Sequence, residues 1–167
     1  MKTSKKIFIV FFVLIAVSCS CGTHKLSLAR QDNKSNSLRL DGFYYNKTKY
    51  QFEHFFLYRN GVIFNGGYCG SYYSVNQIVD FYNNNSNYQH TMNLPYSWGV
   101  YQIKNDRIQF EWWRSGDGLD YPTVKFSGKI INDTTLVLDY PARAVGRDTF
   151  YFHPFKNKPD SINKFIK

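Results

Sequence analysis

The stretch from Trp98 to Tyr140 leaves little choice of architecture. Four runs of alternating apolar and polar residues follow one another, WGVYQIK (98–104), RIQFEWWR (107–114), VKFSGKII (124–131) and TTLVLDY (134–140). Asn105-Asp106 and Asn132-Asp133 close two of the three connections, and two-residue turns join only antiparallel neighbours. A further hairpin stands upstream, where Phe52–Arg59 and Val62 to about Tyr68 flank Asn60-Gly61, a pair that tolerates the left-handed backbone such a turn demands.

Residues 38–44 and 149–155 supply two more strands, which brings the expected number to eight. Gly42 inside the first marks a bend or a close backbone approach. Between the third and fourth strands the period changes. Val75, Ile78, Val79 and Tyr82 recur at helical spacing, and Ser74 with Gln77 forms a capping box, so one short helix is predicted there. The Asn83–Asn87 run stops it, and the polar stretch to Pro95 is expected to be a loop. With 14 Tyr and 15 Phe and no long helix-forming runs, the chain is all-β. Sequential hairpins favour an eight-stranded antiparallel up-and-down barrel over a sandwich, because closure removes exposed strand edges.

The N-terminus carries an address. Lys2, Lys5 and Lys6 precede an unbroken apolar run from Ile7 to Val17, too short to span a bilayer, and residues 1–18 are expected to be a removable signal peptide. Ala16-Val17-Ser18-Cys19 resembles a bacterial lipobox, which would make Cys19 the lipidated first residue of the mature protein. The alternative is ordinary secretion with cleavage near a cysteine. Residues 19–37 read as a flexible tether that, stretched out, spans roughly 60 Å. The barrel occupies 38–157 and a basic tail 158–167. Removing residues 1–18 lowers the formal charge from +9 to +6. That excess suits a surface near anionic headgroups, while export disfavours nucleic acid as a partner. In an oxidising compartment Cys21 and Cys69 are either a disulfide or, for Cys69, a small buried apolar residue.

The order of signals resembles small bacterial lipocalin-like (calycin-type) lipoproteins. The resemblance rests on Leu40-Asp41-Gly42-Phe43-Tyr44, Phe56-Leu57-Tyr58-Arg59-Asn60-Gly61, Trp98-Gly99-Val100-Tyr101 and Ser127–Thr135, and it covers most of residues 38–155. Gly42-Phe43-Tyr44 stands where lipocalins carry Gly-x-Trp, so no ligand contacts transfer. The resemblance implies a membrane-anchored envelope lipoprotein that binds a small apolar ligand, a peptide or a glycan. The alternatives are a non-catalytic module with a filled barrel that meets another envelope protein and, further off, a glycan-acting hydrolase.

No reaction declares itself. The two glutamates, Glu53 and Glu111, form a carboxylate pair of glycosidase type only if the fold brings them together. His24, His54, His90 and His153 lack metal-ligand spacing, Asp117 and Asp120 lack an EF-hand pattern, and no serine has nucleophile-elbow context, so neither a catalytic residue, a metal nor a cofactor is expected. Aromatic side chains are the candidate binding groups: Trp98, Tyr101, Phe110, Trp112 and Trp113. Strand alternation puts Trp112 and Trp113 on opposite faces, one ring inward and one outward. Whatever covers the outer ring, the predicted helix and tether or a partner, is the best place to look.

Overall fold

A computed structural model describes residues 24–47, 52–66, 74–116, 121–139 and 146–167. Cys19, Cys21, Cys69, Asp117 and Asp120, and with them the lipobox, lie outside the described residues. Eight antiparallel strands form one closed barrel in sequence order, β1 (Gly42–Lys47), β2 (Phe52–Leu57), β3 (Val62–Asn65), β4 (Trp98–Lys104), β5 (Arg107–Trp113), β6 (Thr123–Asn132), β7 (Thr135–Asp139) and β8 (Arg147–Pro154). The barrel closes where β1 pairs with β8, with Tyr44 opposite Phe152 and Tyr45 opposite Tyr151. The up-and-down barrel expected from the hairpins is the architecture observed, and it is consistent with a lipocalin-like fold.

The turns explain the register. Gly61 has φ of 75° and Asn105 φ of 58°, the left-handed region that glycine and asparagine tolerate best. A side chain at Gly61 would also strike the Gln31 carbonyl. Asn132 Oδ1 accepts from the Thr134 backbone N–H and hydroxyl, both at 3.0 Å, which turns β6 into β7 after a register shift between Ile130 and Asn132. Gly42 marks a close approach, as expected: a Cβ there would meet the His153 carbonyl of β8.

Two apolar clusters share the wall. Tyr44, Phe55, Leu57, Ile63, Tyr101, Ile108, Phe110, Trp112, Ile130, Leu136, Leu138 and Phe150 form the first. All eight strands contribute to it, which is possible only in the lumen. The second cluster comprises Phe43, Phe56, Tyr58, Val62, Phe64, Trp98, Val100 and Trp113 on the outer wall of β1–β5, together with Ile78, Tyr82, Phe155 and Ile166. That outer face is roofed three times over.

The first cover is α1 (Val75–Asn83), capped by Ser74, whose Oγ accepts from the Gln77 N–H at 3.3 Å, so the predicted helix is present. Its Ile78 and Tyr82 are buried, with the Tyr82 ring 4.9 Å from Phe56. The polar run expected as a loop holds a second helix, α2 (Asn85–Met92), and a 3-10 turn at Pro95–Ser97. Asparagine is a weak helix former, but Tyr88 and Met92, one turn apart, pack against the outer cluster, and tertiary burial overrides propensity. Among the described residues no helix is long and apolar enough to cross a membrane.

The second cover is the C-terminal tail, whose charges suggest an exposed end. Lys158 instead donates from Nζ to the Leu40 carbonyl at 2.7 Å and to the Leu57 carbonyl, and lies 4.1 Å over the Tyr58 ring. Burial pulls its pKa down to about 8. Tyr58 donates to the Pro159 carbonyl at 2.9 Å and Ile166 is buried.

The third cover is the segment 24–37, whose polar groups read as a leash. They are spent on the barrel: Gln102 Nε2 donates to the Ala29 carbonyl at 2.7 Å, Arg30 Nε to the Asn60 carbonyl at 3.1 Å, and the Asn33 N–H to the Arg59 carbonyl at 2.7 Å. Leu26 and Leu28 pack against the outer cluster, and Leu38 then enters the lumen.

Candidate functional site: a filled lumen and a groove at its rim

The lumen is graded along its axis. At the end formed by the β2–β3, β4–β5 and β6–β7 turns, Leu38 and two tyrosine hydroxyls close it. Tyr44 donates to the carbonyls of Arg39 and Asp133, at 3.1 and 2.9 Å. Tyr101 donates to the Tyr58 carbonyl at 2.8 Å and accepts from Asn33 Nδ2 at 3.2 Å. Burial raises both phenols, Tyr101 to about 12. Midway, the Phe55 ring of β2 lies 5.6 Å from Phe110 of β5 and 5.0 Å from Phe150 of β8. These strands are not neighbours, so the rings meet across the lumen and fill it at that level.

Toward the opposite end the lining changes chemistry. Trp112 stacks 4.5 Å from Phe126, and the register puts Asn46, Glu53, Asn65 and Asp148 on the lumen face, with Asn46 opposite Glu53 and Asp148 opposite Leu138. Asn46 and Asn65 are buried. Apart from the tyrosine hydroxyls and Asn33 at the closed end, these polar side chains collect at this rim.

Asn46 and Asp148 also border a groove of about 530 Å³ that runs over the rim onto the outer wall at the β1–β8 closure. Tyr45, Val75, Arg147, Thr149 and Tyr151 complete it. The Tyr45 and Tyr151 rings, opposite each other in the register, are 6.3 Å apart and tilted by 49°, and Tyr151 is 51% exposed. Arg147 is held by Asp139, Nε to Oδ1 at 2.8 Å. Ring faces, an amide, a hydroxyl and both charge signs meet within one concavity.

The five aromatic residues singled out from sequence do not converge. Tyr101, Phe110 and Trp112 belong to the lumen, whereas Trp98 and Trp113 lie on the outer wall. Trp98 Nε1 donates to the Met92 carbonyl at 2.7 Å, and Trp113 donates to the His24 carbonyl and sits 6.4 Å from Phe165. The inward and outward split of Trp112 and Trp113 is as alternation requires, and the outer ring is covered by the N-terminal segment and the tail. Tyr45 and Tyr151 escaped sequence reading because nothing local signals that β1 pairs with β8. Strand alternation marks them as outward rings, and only closure makes them a pair.

Glu53 and Glu111 occupy opposite faces of the wall. Glu111 is buried under the N-terminal segment, where it accepts from the N–H groups of Ser27 (2.9 Å) and Leu28 (2.6 Å) and from the Ser27 hydroxyl. They cannot flank one bond, so a hydrolase built on that pair is not available. His54, also buried on the outer wall, lies with Nε2 2.8 Å from the Tyr82 hydroxyl, and burial alone lowers its pKa to about 3. Among the described residues no three His, Cys, Asp or Glu side chains gather as a metal site.

These features define a closed, eight-stranded, up-and-down β-barrel with a packed middle and a polar rim. No family model, curated protein or solved structure matches the chain.

Proposed function

We propose that the protein is a lipid-anchored lipoprotein of the bacterial cell envelope, held at a membrane through Cys19, whose barrel binds a glycan in the groove at the β1–β8 closure. The observation that carries the ligand class is the lining of that groove. Tyr45 and Tyr151 offer ring faces for the apolar faces of sugar rings, while Asn46, Asp148, Thr149 and Arg147 supply donors and acceptors for hydroxyls. A wholly apolar ligand in the lumen is disfavoured because the Phe55–Phe110 contact already occupies its middle.

Binding of envelope oligosaccharides, measured by calorimetry, tests the reading. Tyr151→Ala, at an exposed position, is expected to weaken binding at least tenfold while leaving the melting temperature within a few degrees. Absence of binding across a panel of envelope glycans, or binding indifferent to Tyr151, would remove it. For the anchor, Cys19→Ala should release the protein from the membrane fraction, and an unchanged fraction would refute lipidation.

The Phe55–Phe110 contact also favours a second reading, a filled barrel that serves as a protein-interaction module. Crosslinking in intact cells followed by pull-down should then recover one envelope partner reproducibly, and repeated recovery of none would count against it.

A further inference from the structure

Residues 24–37 determine where the chain before them leaves the barrel. At Asn33 the segment is tied to Arg59 beside the β2–β3 turn, the closed end. It then climbs the outer wall past Asn60, Gln102 and Glu111. His24 is fixed at the opposite end, its N–H donating to the Tyr121 carbonyl at 3.3 Å and its carbonyl accepting from Trp113. Tyr121 and Trp113 stand where β5 hands over to β6. Arg147, which opens β8 beside the rim groove, stands at that same end.

Cys19 precedes His24 by five residues, which span about 18 Å at full extension. That is less than a third of the roughly 60 Å a free leash through residue 37 would allow. The strands themselves are long on this scale: the seven residues of β5 cover about 20 Å. Turning the barrel over, closed end to the membrane, would need the whole reach of that linker and hold it taut.

We infer that the segment 24–37 is a splint that orients the barrel, so that its rim end, with the groove, lies against the lipid surface and the closed end points away. The inference rests on the lipid anchor proposed above. Charge does not choose between the ends: at the rim end exposed Lys25, Arg114 and Arg147 stand with Glu53, Asp139 and Asp148, so the length of the linker carries the inference. Lys34, Lys104 and Arg107, with Asp32, line an 870 Å³ groove at the closed end, but the short linker denies them the surface. The partner of the rim end is therefore the bilayer that carries the anchor, and a glycan reaching the groove comes from its headgroup layer.

The test uses the mature lipidated protein in vesicles of phosphatidylethanolamine and phosphatidylglycerol carrying an energy-transfer acceptor on the headgroups. A donor dye is attached through a clickable amino acid at position 115, at the rim end, or at position 131, near the closed end. Donor quenching at 115 is expected to be at least twofold stronger than at 131. Equal quenching, or stronger quenching at 131, overturns the inference. Glu111→Ala combined with Trp113→Phe, which removes the side-chain ties at Ser27, Leu28 and His24, should narrow the difference, and an undiminished difference in a variant whose segment 24–29 has become protease-sensitive would show that the splint does not orient the barrel. If intact mass shows no acyl chains on the native protein, the anchor reading fails separately. The same gradient is then read on the mature chain carrying Cys21→Ser and Cys69→Ser, coupled through Cys19, its one remaining thiol, to a maleimide lipid, where its absence would sink the splint itself.

Discussion

The carboxylate of Glu111 and the backbone N–H of Ser27 are 2.9 Å apart, although 84 positions separate them in the chain. A buried acid on the outside of β5 is thus one of the ties that make a polar N-terminal segment part of the barrel wall, beside those of Gln102, Asn60, Arg59 and Trp113. Glu111→Ala leaves the N–H groups of Ser27 and Leu28 without their acceptor. It is expected to cost about 2–3 kcal/mol in urea unfolding and to make residues 24–37 protease-sensitive. Unchanged amide exchange at Ser27 and Leu28 in the variant would contradict the clamp.

Phe110 meets Phe55 across the lumen, so its truncation opens a hole that the closed wall cannot collapse to fill. Phe110→Ala should destabilise the barrel by about 3–5 kcal/mol, against less than about 1.5 for Phe110→Leu if the lumen repacks around it. Equal effects of the two would mean that the middle of the lumen is not packed as the ring contacts indicate.

His54 is neutral in the folded protein, with its pKa lowered from 6.5 to about 3 by burial. Below pH 6.5 the unfolded chain takes up a proton that the folded one refuses. The stabilisation present above pH 6.5 is therefore lost as pH falls toward 3, by about 1.4 kcal/mol per pH unit. Denaturant midpoints from pH 7 to 4 should fall more steeply in the native protein than in His54→Phe, which lacks this buried imidazole but keeps His24, His90 and His153, the last also shifted down by burial.

Lys158 gives the opposite end of the profile. Its pKa falls from 10.5 to about 8, so between those values the unfolded state holds a proton that the folded state has released, and stability from this group rises with pH. Tyr44, Tyr58 and Tyr101, all shifted upward by burial, oppose it above pH 10, where the unfolded phenols ionise first. Between pH 8 and 10 the native protein should therefore gain stability relative to Lys158→Met. A constant difference across that range would place the ammonium in solvent.

What could be read from the sequence was what repeats locally. Asn60-Gly61, Asn105-Asp106 and Asn132-Asp133 announce hairpins because the turn chemistry lies in the turn itself, and period-two alternation separates Trp112 from Trp113 without any knowledge of their neighbours. Ser74 and Gln77 place α1 in the same way. The covers were harder to see. Leu26, Leu28 and Ile166 are single apolar residues in polar surroundings, and their burial depends on a wall built elsewhere in the chain. Glu111 binds main-chain N–H groups, which have no residue signature. Lys158 looks like one more surface charge until the carbonyls of Leu40 and Leu57 are found beside it. Of the candidate groove, Asn46 and Tyr45 come from the first strand and the rest mainly from the last, so it exists only once the barrel has closed.

That closure also sets the order of events in the life of the chain. β1 begins at Gly42 and its partner β8 ends at Pro154, with the six other strands made between them. Until β8 has been made and has docked, β1 keeps one hydrogen-bonding edge unsatisfied, a template for pairing with any neighbouring chain. No partial barrel is complete, and long-range pairing of this kind folds slowly. The last strand to arrive is the one that ends the exposure.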